Sequence, residues 1–486
     1  MYYLGIDLGT SSVKLLLVDE KGNIIKTASR EYPLIFPKDG WSEQNPSDWW
    51  EGTLSALSEI TENIDRSLIK GIGVAGQMHG LVILDENDEV IRPAILWNDG
   101  RTEKETEYLN NTIGKEKLSE YTANIAFAGF TAPKILWVKN NEPENFGRIR
   151  KIMLPKDYIN YMLTGVHACD YSDASGMLLL DVKNKCWSEE MLNICSVDKA
   201  MMPALFESYT VIGKVKEEFG LENAAVVAGA GDNAAAAVGT GTVGNGKCNI
   251  SLGTSGTVFI SSENFSVDKF NSLHSFCHAD GSYHLMGCML SAASCNKWFS
   301  EEILRENDFS ALQKDITEEM LGNNSVYFLP YLMGERSPIN DTDARGAFLG
   351  LSLDTKRENT VLAVLEGVSF AIRDSFEVAK NLGIITEESF LVGGGAKSPL
   401  WRKILANVLG IKLNILKTEQ GPGFGAAILS MVGTGAFSNI SDATEKLIEI
   451  SEVITPDEKL MSLYEQRYQK YRQIYPALKP VFKNIK

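Results

Sequence analysis

Nowhere among the 486 residues is there a run of eighteen apolar side chains, so the sequence encodes no evident bilayer-spanning helix. No basic-then-apolar segment opens the chain, which argues against a secretory signal. Basic runs and zinc-type Cys/His spacings are also missing, and with them the usual marks of nucleic-acid contact. Positive charge is in deficit: 47 Lys and Arg face 63 Asp and Glu, a net charge of −16. That field repels nucleic acid and anionic membranes, although a local site of amide donors and Mg²⁺ still accommodates an anionic nucleotide. Cysteine is scarce and odd in number, at Cys169, Cys186, Cys195, Cys248, Cys277, Cys288 and Cys295. An oxidised framework would more often be even, so reduced thiols in a cytoplasmic protein are expected. No plausible base stands beside any of these thiols in a recognisable motif, so none is expected to be catalytic.

What is present is ample core material, with 44% hydrophobic and 23% charged residues, in a chain long enough for two domains. The halves echo each other. "IDLGTSSVKLLL" from Ile6 and "ISLGTSGTVFI" from Ile250 share I-x-L-G-T-S, and each opens a strand–turn–strand pattern. The offset is almost half the chain, which points to a duplicated domain with its boundary in the glycine-rich stretch Gly239–Cys248. Strands and helices alternate within each half, as in α/β layers. The helical pattern after residue 47 takes Ser47 as its N-cap, and "SPLWRKILANVLG" has Pro399 in its first turn and Gly410 past its end. Tyr464, Tyr468, Tyr471 and Tyr475 form a stripe that packs on a domain.

A turn of Gly9, Thr10 and Ser11 points amides and hydroxyls at a concave point suited to phosphate oxygens. Asp7 beside it repels phosphate but can hold Mg²⁺ or its waters, and Lys14 is a candidate cation for the transferring phosphoryl group. One such copy alone reads as a plain hairpin. Two can clasp a polyphosphate from both sides, and Ser251 in place of Asp7 leaves metal to the first. "FLVGGGAKSP" is neither a Walker A loop nor G-x-G-x-x-G; it admits a flat nucleoside or is a close helix–strand contact, and "EQGPGFGAA" is similar. Asp232 either N-caps the alanine-rich segment after it or, amid small residues, is a base with a raised pKa. Gln77, Met78 and His79 interrupt an apolar region between two glycines; the glycines mark a turn or bulge, and the polar groups suit a small polar ligand. Asn98, Asp99 and Arg101 in "WNDGR" suit a polyhydroxylated one.

Together these stretches, with "WSEQNPSDWW", "GFTAPKILWV", "LPKDYI", "LPYLMGERSP" and "VGGGAKSPLWR", closely resemble the FGGY family of carbohydrate kinases from Tyr3 to about Tyr475. The resemblance implies two duplicated ribonuclease H-like domains of the actin-like ATPase class, residues 1–243 and 244–486, with the site in the cleft between them. It implies ATP-dependent phosphorylation of D-xylulose at O5, with Asp232 as general base and Asp7 orienting Mg²⁺ and water. Met78 and His79 would hold the ketose, with Gln77, Asn98, Asp99 and Asn233 beside them. Gly253 and Thr254 would contact phosphates, as would Gly9 to Ser11, and Gly394 and Gly395 would line the nucleoside. Ser12 stands where members frequently carry glycine. The family also brings with it a cytoplasmic homodimer. Rival readings are a kinase for another ketose or polyol, such as ribulose, and an actin-like chaperone or ATP-binding sugar sensor. The chaperone would need a peptide-binding domain, for which the 48 residues after Ser438 leave little room, and the sensor a basic DNA-binding segment.

Overall fold

The computed structural model describes residues 1–418 and 420–485; Glu419, which opens the stretch "EQGPGFGAA", and Lys486 lie outside the described residues. Alternating apolar residues in the first thirty positions fold as an antiparallel meander of β1 (Tyr2–Leu8), β2 (Ser12–Asp19) and β3 (Ile24–Glu31). β1 also runs parallel to β4 (Ile69–Gly76), and the sheet closes with β5 (Val211–Lys214) and β6 (Ala225–Val227) in the order β5-β6-β4-β1-β2-β3.

The second half repeats the plan. β7 (Cys248–Leu252) and β8 (Gly256–Ser262) form the second hairpin, flanked by β9 (His274–Cys277) and β10 (Tyr283–Met289). β11 (Glu388–Val392) and β12 (Lys412–Leu416) continue parallel to β7, and β13 (Ile450–Ile454) edges the sheet. The order is β9-β10-β8-β7-β11-β12-β13. Each sheet therefore contains a three-strand meander followed by two parallel strands, β3-β2-β1-β4-β6 and β10-β8-β7-β11-β12. This is the duplication that the repeat predicts, in the ribonuclease H-like arrangement that the family resemblance implies. Long crossovers join the parallel strands, as parallel pairing requires.

Three helices show how the sequence places caps. α1 (Pro46–Ile60) begins one residue before the expected cap: Asn45 is the N-cap, Pro46 occupies the first turn, and Ser47 is already inside. α2 (Asp232–Thr240) follows the second parallel strand of the first sheet. α3 (Arg357–Asn381) spans the second core, against which α4 (Pro399–Leu409) packs with Ser398 as cap and Gly410 in the left-handed C-terminal position. α5 (Gly421–Gly433) comes from the second half yet lies across β1 and β4 of the first sheet and against α2. Its glycines permit backbone contact: a Cβ on Gly425 would sit 1.8 Å from the Ala235 carbonyl oxygen, and one on Gly5 would sit 1.8 Å from that of Gly423. The fourth glycine element is therefore a helix–sheet junction. Tyr464, Tyr468 and Tyr471 on α6 (Glu458–Tyr471) are buried in the second core; Tyr475 falls on the next helix, α7 (Ile474–Phe482), and is partly buried.

Residues 77–210, between β4 and β5, build a separate apolar core around Phe130, Ile135, Leu178 and Met191, into which Phe276 and Met286 of the second half insert. The Asn124 side chain pairs with both backbone groups of Ser275, donating at 2.9 Å and accepting at 3.2 Å. Among the described residues no helix is long and apolar enough to cross a membrane, and all seven cysteines are free.

Candidate active site

The first hairpin turns through Gly9–Ser12, where the Gly9 amide donates to the Ser12 carbonyl at 3.0 Å. Ser12 keeps negative φ, so serine fits the position where family members frequently carry glycine. The turn is stitched from behind. Thr10 Oγ1 donates to Gln77 Oε1 at 3.1 Å and accepts from Trp97 Nε1 at 2.9 Å, while Gln44 Nε2 donates to the Thr10 carbonyl at 2.7 Å. Gln77 Nε2 donates to Gln44 Oε1 at 3.1 Å, so the Gln77 amide, expected at the sugar, instead braces the turn. Ser11 is exposed. Asp7 lies opposite Lys14 in the strand register. Burial raises the Asp7 carboxyl to about 6, and the Lys14 charge acts in the opposite direction.

The second turn is tighter. Leu8 pairs with Val13 in the first hairpin, whereas Leu252 pairs with Gly256 in the second, one residue sooner. The carbonyls of Gly253 and Thr254 accept the amides of Ala293 (2.9 Å) and Ala292 (3.0 Å). The triple-glycine loop passes directly behind. Gly393 has φ +92°, and a Cβ there would lie 2.7 Å from the Leu252 carbonyl oxygen, so only glycine fits. Of the two expected nucleoside contacts, Gly394 faces open space, whereas Gly395 is packed against Leu252 and Trp401.

Asp232 is the first helical residue of α2, with Gly231 at the cap position, so it does not itself cap the helix. Burial first, and the charge of Asp7 second, push its carboxyl up to about 7, while the amide and side-chain N–H of Asn233, at 2.7 and 2.9 Å, oppose the rise. Asp7 from β1 and Cys288 from β10 both sit within electrostatic range of Asp232, so the carboxylate lies where the halves meet. Met78 packs on Gly231, where a Cβ would come within 3.0 Å of Met78 Cγ, and its sulfur lies 3.9 Å from Asn233 Nδ2. His79 takes the left-handed conformation (φ 69°), stacks on Phe130 with ring centroids 4.7 Å apart, and is pushed down to about 3 by burial. The structure thus gathers Asp232, Asn233, Met78, His79 and Asp7. It does not add Asp99, whose buried carboxylate is occupied by Arg101 at 2.8 and 2.9 Å and the Ser42 amide at 2.6 Å. Asn98 is exposed beside it.

Glu335 and Arg336 lie in "LPYLMGERSP", a stretch that the sequence singles out only through the family resemblance, with no role for either residue. Arg336 lies 5.2 Å over the Phe127 ring and 3.2 Å from His274 Nε2, and its charge reaches His79. Burial raises the Glu335 carboxyl to about 7, against the amides of Leu290 and Arg336, each at 2.8 Å.

Among the described residues the Asp7 carboxylate accepts no hydrogen bond, and no group of three or more His, Cys, Asp or Glu side chains forms a closed metal cage. A single free, hard carboxylate beside a phosphate-type turn fits Mg²⁺, which keeps its waters and shares phosphate oxygens rather than filling an all-protein cage.

Two family models match nearly the whole chain: the N-terminal domain of the FGGY family of carbohydrate kinases over residues 2–239, and its C-terminal domain over residues 248–458. A xylulose kinase from Escherichia coli K12 is 39% identical over 485 residues, covering 99% of each chain. A solved structure described as a xyloylose kinase from Brucella ovis superposes with a TM-score of 0.94 at 39% identity, covering 99% of this chain and 100% of that one. A gluconate kinase from Lactobacillus acidophilus superposes at 0.93 with 27% identity, covering 100% and 99%.

Proposed function

The chain belongs to the FGGY family of carbohydrate kinases and is an ATP-dependent sugar kinase; on that premise we propose that it phosphorylates D-xylulose at O5, giving D-xylulose 5-phosphate and ADP. The observation that carries the reading is Asp232, whose carboxyl is raised to about 7 beside Met78, His79 and Asp7 at the meeting of the two halves. A base of that strength is half-ionised at neutral pH, near the optimum for accepting a hydroxyl proton.

In this mechanism Asp232 takes the proton of the sugar's O5 hydroxyl as that oxygen attacks the γ-phosphorus in line, and the bond to ADP breaks. His79 is neutral, because burial holds its ring far below the ordinary range. Its Nε2 accepts a sugar hydroxyl while Met78 provides an apolar floor. The amides of the two glycine turns hold the phosphates and orient the γ-phosphate toward O5. Asp7 would hold Mg²⁺, which when bound neutralises charge on the phosphates. Closure of the halves excludes water, which would otherwise compete with the sugar as acceptor. The family resemblance also brings a homodimer and cytoplasmic residence into the proposal.

The gluconate kinase of nearly equal superposition favours a second reading, a kinase for another sugar or sugar acid. A coupled ADP-release assay across D-xylulose, D-ribulose, pentitols, glycerol and gluconate separates them. D-xylulose is expected to give the highest kcat/KM, and a better rate with any of the others overturns the substrate reading.

A further inference from the structure

Lys156, Asp157, Asp170 and Asp173 form a solvent-free charge cluster in residues 77–210. Lys156 Nζ lies 2.5 Å from Asp157 Oδ1, 2.9 Å from Asp170 Oδ1 and 3.8 Å from Asp173 Oδ2, with all four side chains fully buried. Buried ion pairs can often be replaced by apolar side chains without loss of stability, so such a cluster calls for a reason besides stability.

The loop that delivers Asp232 supplies one. Residues 228–231 connect β6 to α2, and they are held along their whole length. At the start, the Ala228 carbonyl accepts from Lys156 Nζ at 3.3 Å and from Asn160 Nδ2 at 2.9 Å. In the middle, Gly229 has φ +76°, and its amide donates to the Ser208 carbonyl at 2.9 Å. At the end, the Gly231 amide donates to Ser172 Oγ at 3.2 Å. Ser172 Oγ in turn donates to Asp170 Oδ2 at 2.5 Å, and Ser208 Oγ donates to the same oxygen at 2.8 Å. The Lys156–Asp170 pair therefore reaches both ends of the loop, directly at Ala228 and through Ser172 at Gly231.

We propose that Lys156 and Asp170, acting through Ser172, are positioning residues that fix the loop 228–231 and so the direction in which the Asp232 carboxylate meets the sugar hydroxyl. The inference rests on Asp232 being the base. It gives the "LPKDYI" stretch, which no step of the mechanism uses, a part in turnover. A general base works only within hydrogen-bond reach of its proton, and a displacement of about 1 Å costs up to about 100-fold in rate.

Ser172→Ala in the full-length protein cuts the relay without removing a charge. The expected result is a kcat lower by about 10-fold to 100-fold, with both KM values within about 2-fold of wild type. A kcat equal to wild type overturns the proposal, as does a rise in both KM values that matches the fall in kcat. A double-mutant cycle adds a readout that general loosening would not give: in the Asp232→Asn background, with no base to aim, Ser172→Ala should leave the residual turnover unchanged. Equal fractional losses in the two backgrounds overturn the positioning role. Asp232→Asn alone separates the two readings. Retained turnover defeats the base assignment and the relay with it, whereas an inactive Asp232→Asn beside a fully active Ser172→Ala defeats only the relay.

Discussion

The Nδ1–H of His79 donates to the carbonyl oxygen of Gly176 at 2.7 Å, and because a carbonyl only accepts, the other ring nitrogen is left as an acceptor. Burial, aided by the charge of Lys134, pushes the ring down to about 3. His79 therefore stays neutral throughout the working pH range. His79→Ala should raise KM for the sugar by about 10-fold, the worth of one lost hydrogen bond, while KM for ATP holds. The ratio of wild-type to mutant KM should be flat between pH 6 and 9; a ratio that changes across that range would contradict a neutral ring.

Asp232→Ala should retain sugar and ATP binding by calorimetry and lose about 10²–10⁴-fold in kcat. In the wild type the base must be ionised, and its carboxyl is raised to about 7. kcat/KM should thus fall about tenfold per pH unit well below neutrality, and the residual activity of the variant should lack this limb.

On the proposed mechanism Asp7 would act twice, on metal and on the base. Asp7→Asn should require a higher Mg²⁺ concentration for half-maximal rate. It also removes the charge that, after burial, raises Asp232, so the acidic limb should move to lower pH. A limb that stays in place would show that burial alone sets the Asp232 carboxyl.

Raised carboxyls also bear on stability, and the sign is opposite to that of a salt-bridged aspartate. Unfolded, Asp232 ionises near about 3.9, whereas folded it does so only near 7. The folded state binds the extra proton in between, so stability falls as pH rises from about 4 to 7. Asp232→Asn should unfold at a higher temperature than wild type at pH 8, and the difference should vanish near pH 4.

Where α5 crosses α2 a methyl group has no room. Gly425→Ala would place its Cβ 1.8 Å from the Ala235 carbonyl oxygen, a backbone atom that cannot swing aside. The expected cost is about 3 kcal/mol, read from the midpoint of urea unfolding.

The repeat, the paired hairpins and the candidate base were legible because each leaves a local mark: shared letters, period-two apolar runs, a carboxylate among small residues. Glycine was harder to read, since the same letter serves a ligand or a close backbone. The glycines of α5 meet helix and strand, while Gly394 alone in its loop opens to space. Asp99 reads as a sugar ligand in the sequence, whereas in the fold Arg101, two residues later, turns back and occupies its carboxylate. Arg336 and the Lys156 cluster depend on chain segments that meet only in the folded protein, at Phe127 and His274 in one case and at Ala228 and Gly231 in the other. No spacing in the sequence announces such meetings.

The placement of α5 across β1 and β4 bears on how the chain is made. Phe424, Ile428 and Met431 of α5 are buried with Tyr3, Leu16 and Val18. Everything through residue 243 leaves the ribosome before the helix that covers one face of its own sheet. A nascent or truncated first half would present that face bare, prone to association with other chains, and would be completed only when residues near 430 emerge. Co-expressed fragments cut at the repeat should therefore be recovered together or not at all.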